Sequence, residues 1–138
     1  MIDPRGNNRA RARLVATAAG ATVLAAGLAV RGLSSGAAAK YAGDALYTVL
    51  LCALVVALAP RLRPAVAAGV GLAASWAVEF SQLGDLPAEL SRRSTLARLV
   101  LGSTFNAPDL FWYAVGALLA LLIHTVAVRR TAGDRRRG

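Results

Sequence analysis

The sequence predicts an all-α integral membrane bundle of four transmembrane helices, with a short interfacial or re-entrant helix between the third and the fourth. The first observation is composition: 57% of the 138 residues are hydrophobic and only 17% are charged. A domain of this size cannot remove so many apolar residues from water. The second observation is that these residues gather in four long runs, which the bilayer requires to be helical. A disordered chain, a collagen-like chain and a disulfide scaffold are excluded, and a soluble enzyme is disfavoured.

The four runs cover residues 14–30, 45–59, 65–83 and 110–128. Crossing the hydrocarbon core takes roughly 20 residues, so the second run is short and is expected to draw Gly43 and Asp44 into the interface. Together the runs predict one transmembrane domain at 14–128, between a basic N-terminal tail at 1–13 and a basic C-terminal tail at 129–138. The C-terminal tail, RRTAGDRRRG, is expected to be disordered.

The loop at 84–109 is the longest connection, and it contains the short apolar stretch 95–101. This stretch cannot span the membrane, so it predicts an interfacial or re-entrant helix. Ser94 or Thr95 is expected to cap its start, and Gly102 its end. Asn106 and Pro108 then mark the start of the fourth helix.

The positive charges predict which side of the membrane each end occupies. With the N-terminus inside, the inner side carries eleven of the sixteen basic residues and the outer side five. The inner side has only Asp3 and Asp134 as acids, whereas five acids fall at or near the outer face. Both termini are therefore predicted to be cytoplasmic. A cleaved signal peptide over residues 1–39, ending at Ala37-Ala38-Ala39, is the alternative for the first run.

Helical spacing predicts two separate packing faces on the third helix. One is a stripe of small residues, which lets helices approach closely and would permit a homo-oligomer. The other is polar and comprises Ser75, Glu79 and Gln82. A helix with two such faces is expected to be central, with neighbours on both sides. The small-residue stripe consists of Ala65, Gly69, Ala73 and Ala77.

The fourth helix is also two-faced. Its apolar side, which includes Phe111, Leu118 and Leu122, is expected to face lipid. Its small and polar side is expected to face protein, and it consists of Asp109, Tyr113, Gly116, Ala120 and His124.

Strong polar residues fall near the outer end of the predicted spans, and they form the candidate ligand site. A buried carboxylate costs several kcal/mol unless it is paired, so an arginine of the loop is expected to pair with the acids. Capping offers a structural alternative for Asp44 and Asp109, but not for Glu79, which lies near a helix C-terminus. The candidate residues are Asp44, Glu79, Gln82, Arg93, Arg98, Asn106, Asp109 and Tyr113.

Metal and cofactor sites are not expected. Cys52 is the one cysteine and His124 the one histidine, so neither an intramolecular disulfide nor a Cys/His metal set can form. Nucleic acid is not an expected partner either, because the basic residues flank apolar runs and no aromatic–basic platform accompanies them.

Four strings carry a resemblance to a known family: GDALYTVLL at 43–51, VEFSQL at 78–83, RRST at 92–95 and LVLGSTFNAPDLFWYAVG at 99–116. Over about residues 35–125 the chain resembles a bacterial family of small polytopic membrane proteins, domain of unknown function 2809. The resemblance implies a multi-pass protein of the bacterial plasma (inner) membrane with no assigned activity.

The same strings are distantly similar to the VanZ-like family of cell-envelope membrane proteins. Carried over residue by residue, that likeness singles out Glu79, Gln82, Arg93, Asp109 and Gly116. The VanZ-like pattern has an Asp-rich stretch before its last helix, of which only Asn106 and Asp109 stand here.

Three functions fit these residues. An envelope accessory protein would bind a lipid head group or a lipid-linked ligand, with Arg93 and Arg98 on phosphate. A membrane enzyme would use Glu79 or Asp109 as general acid or base on a lipid-linked substrate. A small transporter ranks third, because the polar groups lie at one end only and give no path across the membrane.

Overall fold

The computed structural model describes residues 4–137. Asp3, one of the two acids assigned to the inner side, and Gly138, the last residue of the C-terminal tail, lie outside these residues. The described part is all-helical, which confirms the predicted fold class. Its helices are α1 (Pro4–Leu33), α2 (Ala37–Leu58), α3 (Pro64–Ser81), α4 (Leu86–Arg93), α5 (Thr95–Leu101) and α6 (Ala107–Arg137).

Four of the helices, α1, α2, α3 and α6, are long and apolar enough to cross a membrane. Large apolar side chains stand exposed along them: Leu14 and Leu58 are each 71% exposed and Phe111 is 64% exposed. In water such surfaces would be costly, whereas lipid matches them. These features indicate a membrane protein with four spans, as the four apolar runs predict.

The second helix begins eight residues before the predicted run, at Ala37 rather than residue 45. Three consecutive alanines favour the helix, and Gly36, whose φ is +95°, separates it from α1. Lys40 and Asp44 are therefore inside α2, one turn apart. Asp44 is too far from the helix start to cap it, so the capping alternative does not hold for this residue.

The last helix continues to Arg137, so the expected disorder of the C-terminal tail is not found in the described residues. No proline follows Pro108, and arginine and alanine are good helix formers. The three arginines of the last turn also interact favourably with the helix dipole.

The centre of the bundle is α2, which packs against α1, α3 and α6. Two glycines allow backbones to approach closely there. A Cβ on Gly116 of α6 would overlap the carbonyl oxygen of Ala45 and lie 2.9 Å from its carbonyl carbon. A Cβ on Gly71 of α3 would overlap the sulfur of Cys52. The expectation that α3 is the central helix is therefore wrong, although α3 does contact both α2 and α6.

The buried face of α3 is the predicted polar face, since it contains Ser75 and Glu79, whereas the predicted small-residue stripe does not pack inside the bundle. The members of this stripe, Ala65, Gly69, Ala73 and Ala77, are all exposed. The buried face lies on the opposite side and consists of Ala67, Ala68, Gly71, Ser75 and Glu79. Helical spacing alone does not show which of the two faces packs inside the bundle, because both repeat at helical intervals and both contain small residues.

A buried pair of hydroxyls joins α2 to α3. Thr48 and Ser75 are 0% exposed, and their oxygens lie 2.8 Å apart. Ser75 donates its proton to the carbonyl of Gly71 at 3.0 Å, so Thr48 donates to Ser75. Both hydroxyl protons are thereby used inside the helix pair, as burial away from water requires.

The predicted two faces of α6 are confirmed. Asp109, Tyr113 and Gly116 are buried, and Ala120 and His124 are half-buried. The opposite side is open: Leu118 and Leu122 are 57% and 56% exposed.

The short predicted helix at 95–101 is α5. The side chain of Ser94 accepts a hydrogen bond from the N–H of Ala97 at 3.3 Å, and Gly102 follows with a φ of +64°. Sequence reasoning did not predict α4, whose eight residues are mostly polar or small. Leu96, Leu99 and Val100 of α5 are exposed, which suits contact with lipid.

Substitution of Gly116 tests the packing of α2 on α6. We expect Gly116→Ala to lower the free energy of unfolding by about 1–3 kcal/mol. The added methyl group would overlap the backbone of Ala45, which, unlike a side chain, cannot adopt another rotamer. Thermal unfolding in detergent micelles would measure the change. Gly69→Ala is the matched control: nothing lies within 4 Å of its Cβ, so it should be neutral or slightly stabilising. Equal stability of the two variants would contradict the close contact.

Candidate polar binding site

Six polar side chains meet at one end of the bundle, and we call them the polar cluster. They come from the first turns of α2, the last turn of α3, the loop before α6 and the first turns of α6. The cluster consists of Lys40, Asp44, Glu79, Asn106, Asp109 and Tyr113.

Glu79 is the most deeply placed acid, with 1% of its surface exposed. Its Oε1 accepts the backbone N–H of Asn106 at 2.6 Å, and its Oε2 accepts the hydroxyl of Tyr113 at 3.0 Å. Among the described residues it has no ion-pair partner. Two neutral donors therefore satisfy both oxygens, so the carboxyl group ties α3 to α6 and to the loop that precedes it.

Lys40 connects the two other carboxylates of the cluster. Its Nζ lies 3.3 Å from Oδ2 of Asp44 and forms an ion pair with Oδ1 of Asp109. The amide of Asn106 donates to the same Asp109 oxygen at 2.6 Å. Because Asn106 contacts both Glu79 and Asp109, the six side chains form one continuous network.

Lys40 is the residue of the cluster that sequence reasoning missed. Lys40 lies outside the predicted span at 45–59, so the sequence pattern places it only among the five basic residues of the outer side. The available signal was its spacing of four from Asp44, which places the two side chains on one helix face if α2 begins at Ala37.

The loop arginines do not join the cluster, so the expectation that they pair with its acids is wrong. Arg93 instead lies 2.8 Å from Glu89, which also pairs with Arg92. Hydrogen bonding to Arg92, its charge and the contact with Arg93 lower the pKa of Glu89 below its ordinary value. Arg98 forms no ion pair with a described residue. The physical reason is α4, which brings Glu89 within one turn of both arginines.

Gln82 lies beside the cluster and holds the end of α5. The last carbonyls of a helix lack partners within it, and three side chains supply them here. Gln82 donates to the carbonyl of Leu101, Tyr47 to that of Val100 at 3.1 Å, and Ser91 to that of Gly102 at 2.7 Å. The Oε1 of Gln82 is buried and has no partner among the described residues.

Aromatic rings flank the cluster. Tyr41 stacks on Trp112 with 5.2 Å between ring centroids, and Nζ of Lys40 lies 5.5 Å from the Tyr41 ring. Tyr47 packs at a tilt against Tyr113, with 6.1 Å between centroids. The indole N–H of Trp76 donates to the carbonyl of Leu110 at 3.1 Å, which joins α3 to α6 near the cluster. These rings limit how far the polar side chains can move.

The cluster has more acceptors than cations. It holds three carboxyl groups and one ammonium group, which contacts Asp44 and Asp109. The side chain of Lys40 is 43% exposed, against 19% for Asp44 and 7% for Asp109. Lys40 and Asp44 are therefore the more accessible members of the cluster, whereas Glu79 and Asp109 are buried. In the described part of the chain no three His, Cys, Asp or Glu residues are placed to hold a metal ion. The arrangement is suited to hydrogen-bond donors or to a cation.

A scan against protein families gives one relevant match: residues 33–117, more than half of the chain, fit the family described as "Protein of unknown function (DUF2809)". The chain belongs to this family. The match contains the whole polar cluster, Gln82, Arg93 and Arg98, whereas most of α1 and the second half of α6 lie outside it. The distant similarity to the VanZ-like family is not supported. No curated protein and no solved structure matches the chain.

The role of Tyr113 can be tested by removing its hydroxyl group. We expect Tyr113→Phe to lower the free energy of unfolding by about 1–3 kcal/mol, because Oε2 of Glu79 then loses its donor in a buried site. Thermal unfolding in detergent would detect the change. Tyr41→Phe is the matched control, since the Tyr41 hydroxyl makes no hydrogen bond within the described residues. Equal effects of the two substitutions would contradict the structural role assigned to the Glu79–Tyr113 bond.

Proposed function

We propose that the protein is a cell-envelope accessory protein that binds the head group of a membrane lipid at the polar cluster. The observation that carries this proposal is the arrangement at Lys40, one partly exposed ammonium group shared by two carboxylates beside a third, buried one. Such a group of charges would be costly next to lipid tails. It is compatible with a site where polar groups of a ligand enter from the membrane interface.

The charge balance supports a particular head-group chemistry. Because it contains three carboxyl groups and only one ammonium group, the cluster favours hydroxyl or ammonium donors over a phosphate. Asp44 and Lys40 would form the entrance, with Asp109 and Asn106 behind them. Glu79, Tyr113 and Gln82 would support these residues rather than touch the ligand first. Since Arg93 and Arg98 are not in the cluster, the proposal does not include their expected contacts with phosphate.

The lipid tails would lie against the open apolar sides of the helices. Phe111 of α6, which is 64% exposed, lies in the same turn of α6 as Asp109. α5 offers Leu96, which is 70% exposed. A ligand with a polar head and apolar tails would therefore meet matching surfaces within a short distance.

We further propose that the cluster faces the outer side of a bacterial plasma membrane, with both termini in the cytoplasm. The support is the charge distribution along the sequence: the end opposite the cluster carries most of the arginines, and basic loops favour the cytoplasmic side.

Acid–base catalysis on a lipid-linked substrate is the second candidate. Asn106 donates hydrogen bonds to both Glu79 and Asp109, so two carboxyl groups lie close together, which favours this candidate. However, both oxygens of Glu79 are already engaged by donors of the protein, which suits a structural group better than a proton shuttle.

Native mass spectrometry tests lipid binding. The protein would be gently extracted from its own membranes, alongside the variant Asp44→Asn. We expect a discrete lipid with hydroxyl or amine groups on the wild type, and its loss from the variant, because the substitution removes a charge at the proposed entrance. Asp85→Asn is the matched control: it makes the same change at an exposed residue of the α3–α4 turn, outside the cluster.

Two results would contradict this function. If the wild type and Asp44→Asn carry the same bulk phospholipids, the cluster is a structural network and not a lipid site. If the bound lipid changes mass during incubation with the wild type, the protein is an enzyme that acts on this lipid, and the second candidate function replaces the first.

Cysteine labelling tests the proposed orientation. In a Cys52→Ser background, Gly84→Cys and Gly133→Cys place single thiols at opposite ends of the bundle. Both sites have room, since a Cβ at Gly133 meets nothing within 4 Å and one at Gly84 only the Ser81 carbonyl at 3.5 Å. A membrane-impermeant thiol reagent on intact cells should label Gly84→Cys and not Gly133→Cys. The reverse pattern would place the cluster in the cytoplasm.

A further inference from the structure

A recess lies at the end of the bundle that is opposite the polar cluster. It has a volume of about 280 Å³ and is formed between the start of α1 and the turn that joins α2 to α3. Three arginines line it: Arg9 and Arg13, one turn apart on α1, and Arg61 in the turn. The other lining residues are Leu58, Ala59, Pro60 and Leu62, so no acidic side chain of the described residues faces the arginines there.

We propose that this recess, the arginine recess, binds the phosphate group of an anionic phospholipid. A guanidinium group presents a planar fork of N–H donors that matches phosphate oxygens. Three such groups around one concave site supply more positive charge than a phosphodiester carries. Among residues 4–137 no carboxylate lines the recess to neutralise them, so an external anion completes the site.

The apolar surroundings of the recess select a lipid rather than a soluble phosphate. Leu58 lines the recess and is 71% exposed. One turn earlier on the same face of α2, Leu54 is 52% exposed. An acyl chain attached to the bound phosphate would lie along this strip. Leu14, next to Arg13 and 71% exposed, adds apolar surface on α1. Basic pockets between transmembrane helices are typical binding sites for anionic head groups.

The site is separate from the polar cluster. Lys40 and Leu58 are 18 residues apart on α2, which corresponds to about 27 Å along a helix. The ligand chemistries also differ, because the polar cluster favours donors or a cation, whereas the arginine recess favours an anion. The inference therefore does not depend on the proposed function of the cluster.

Lipid retention tests the proposal. The full chain would be reconstituted into vesicles of equal parts phosphatidylglycerol and phosphatidylcholine, extracted into mild detergent and analysed by native mass spectrometry. We expect phosphatidylglycerol to be retained in preference to phosphatidylcholine. The triple variant Arg9→Gln, Arg13→Gln and Arg61→Gln should reduce its retention at least tenfold, given that one basic residue near an anionic surface contributes roughly a fivefold change in affinity.

The matched control removes the same number of charges from the same end of the bundle, through Arg135→Gln, Arg136→Gln and Arg137→Gln, none of which lines the recess. It should retain phosphatidylglycerol as the wild type does. Arg61→Lys, in the turn between α2 and α3, is a second and milder variant. It keeps the charge but loses the fork, so it should retain less lipid than the wild type and more than the triple variant.

Three results would overturn the proposal. Equal loss of lipid from both triple variants would mean general charge attraction. Equal retention of the two lipids would show that the recess does not select an anion. Displacement of phosphatidylglycerol by inorganic phosphate, or binding of inorganic phosphate without lipid, would identify a site for a free phosphate instead.

Discussion

The burial of the Glu79 carboxyl group constrains the arrangement of half the bundle. A carboxyl group that is 1% exposed must find donors within the protein. Its two donors come from different places in the chain, the backbone of Asn106 and the hydroxyl of Tyr113. The direction of the loop before α6 and the rotation of α6 about its own axis are therefore both set by one residue of α3. Because Asn106 also binds Asp109, this constraint extends to Lys40 and α2.

Close packing around α2 brings these groups within reach of one another. Gly116 and Gly71 let α6 and α3 approach the α2 backbone, which shortens the distance between helices that carry the cluster residues. In lipid the hydrophobic effect gives little drive to helix association, so such contacts and buried hydrogen bonds have to stabilise it. The hydroxyl pair of Thr48 and Ser75 contributes in the same way, one turn deeper than Asp44 and Glu79.

The segment between α3 and α6 is held in place at the C-terminal end of α5. Three consecutive carbonyls at the end of α5 receive donors from α2, from the end of α3 and from α4. The chain then turns at Gly102 and returns to the cluster at Asn106. Polar backbone groups at this depth are thereby satisfied, which a lipid-facing segment requires.

The two ends of the molecule differ in charge as well as in shape. One end holds three carboxyl groups and a single lysine that pairs with two of them, while the other end has a recess lined by three arginines. Such a polarity along one bundle suits a protein that meets different head groups at its two ends. The net charge of +9 arises mainly at the end with the arginines.

The amino-acid sequence by itself determined the helical class, the four spans, the short helix at 95–101 and the faces of α6, because hydropathy and helical periodicity are local properties. It also identified Asp44, Glu79, Asn106, Asp109 and Tyr113 as residues of one end. Only the tertiary structure decided how they pair. The cation is Lys40 rather than Arg93, since α4 gives Arg93 a nearer partner in Glu89. Contacts between distant residues also decide which of the two predicted faces of α3 packs inside the bundle, and that α2 is the central helix. The periodicity along one helix does not contain this information.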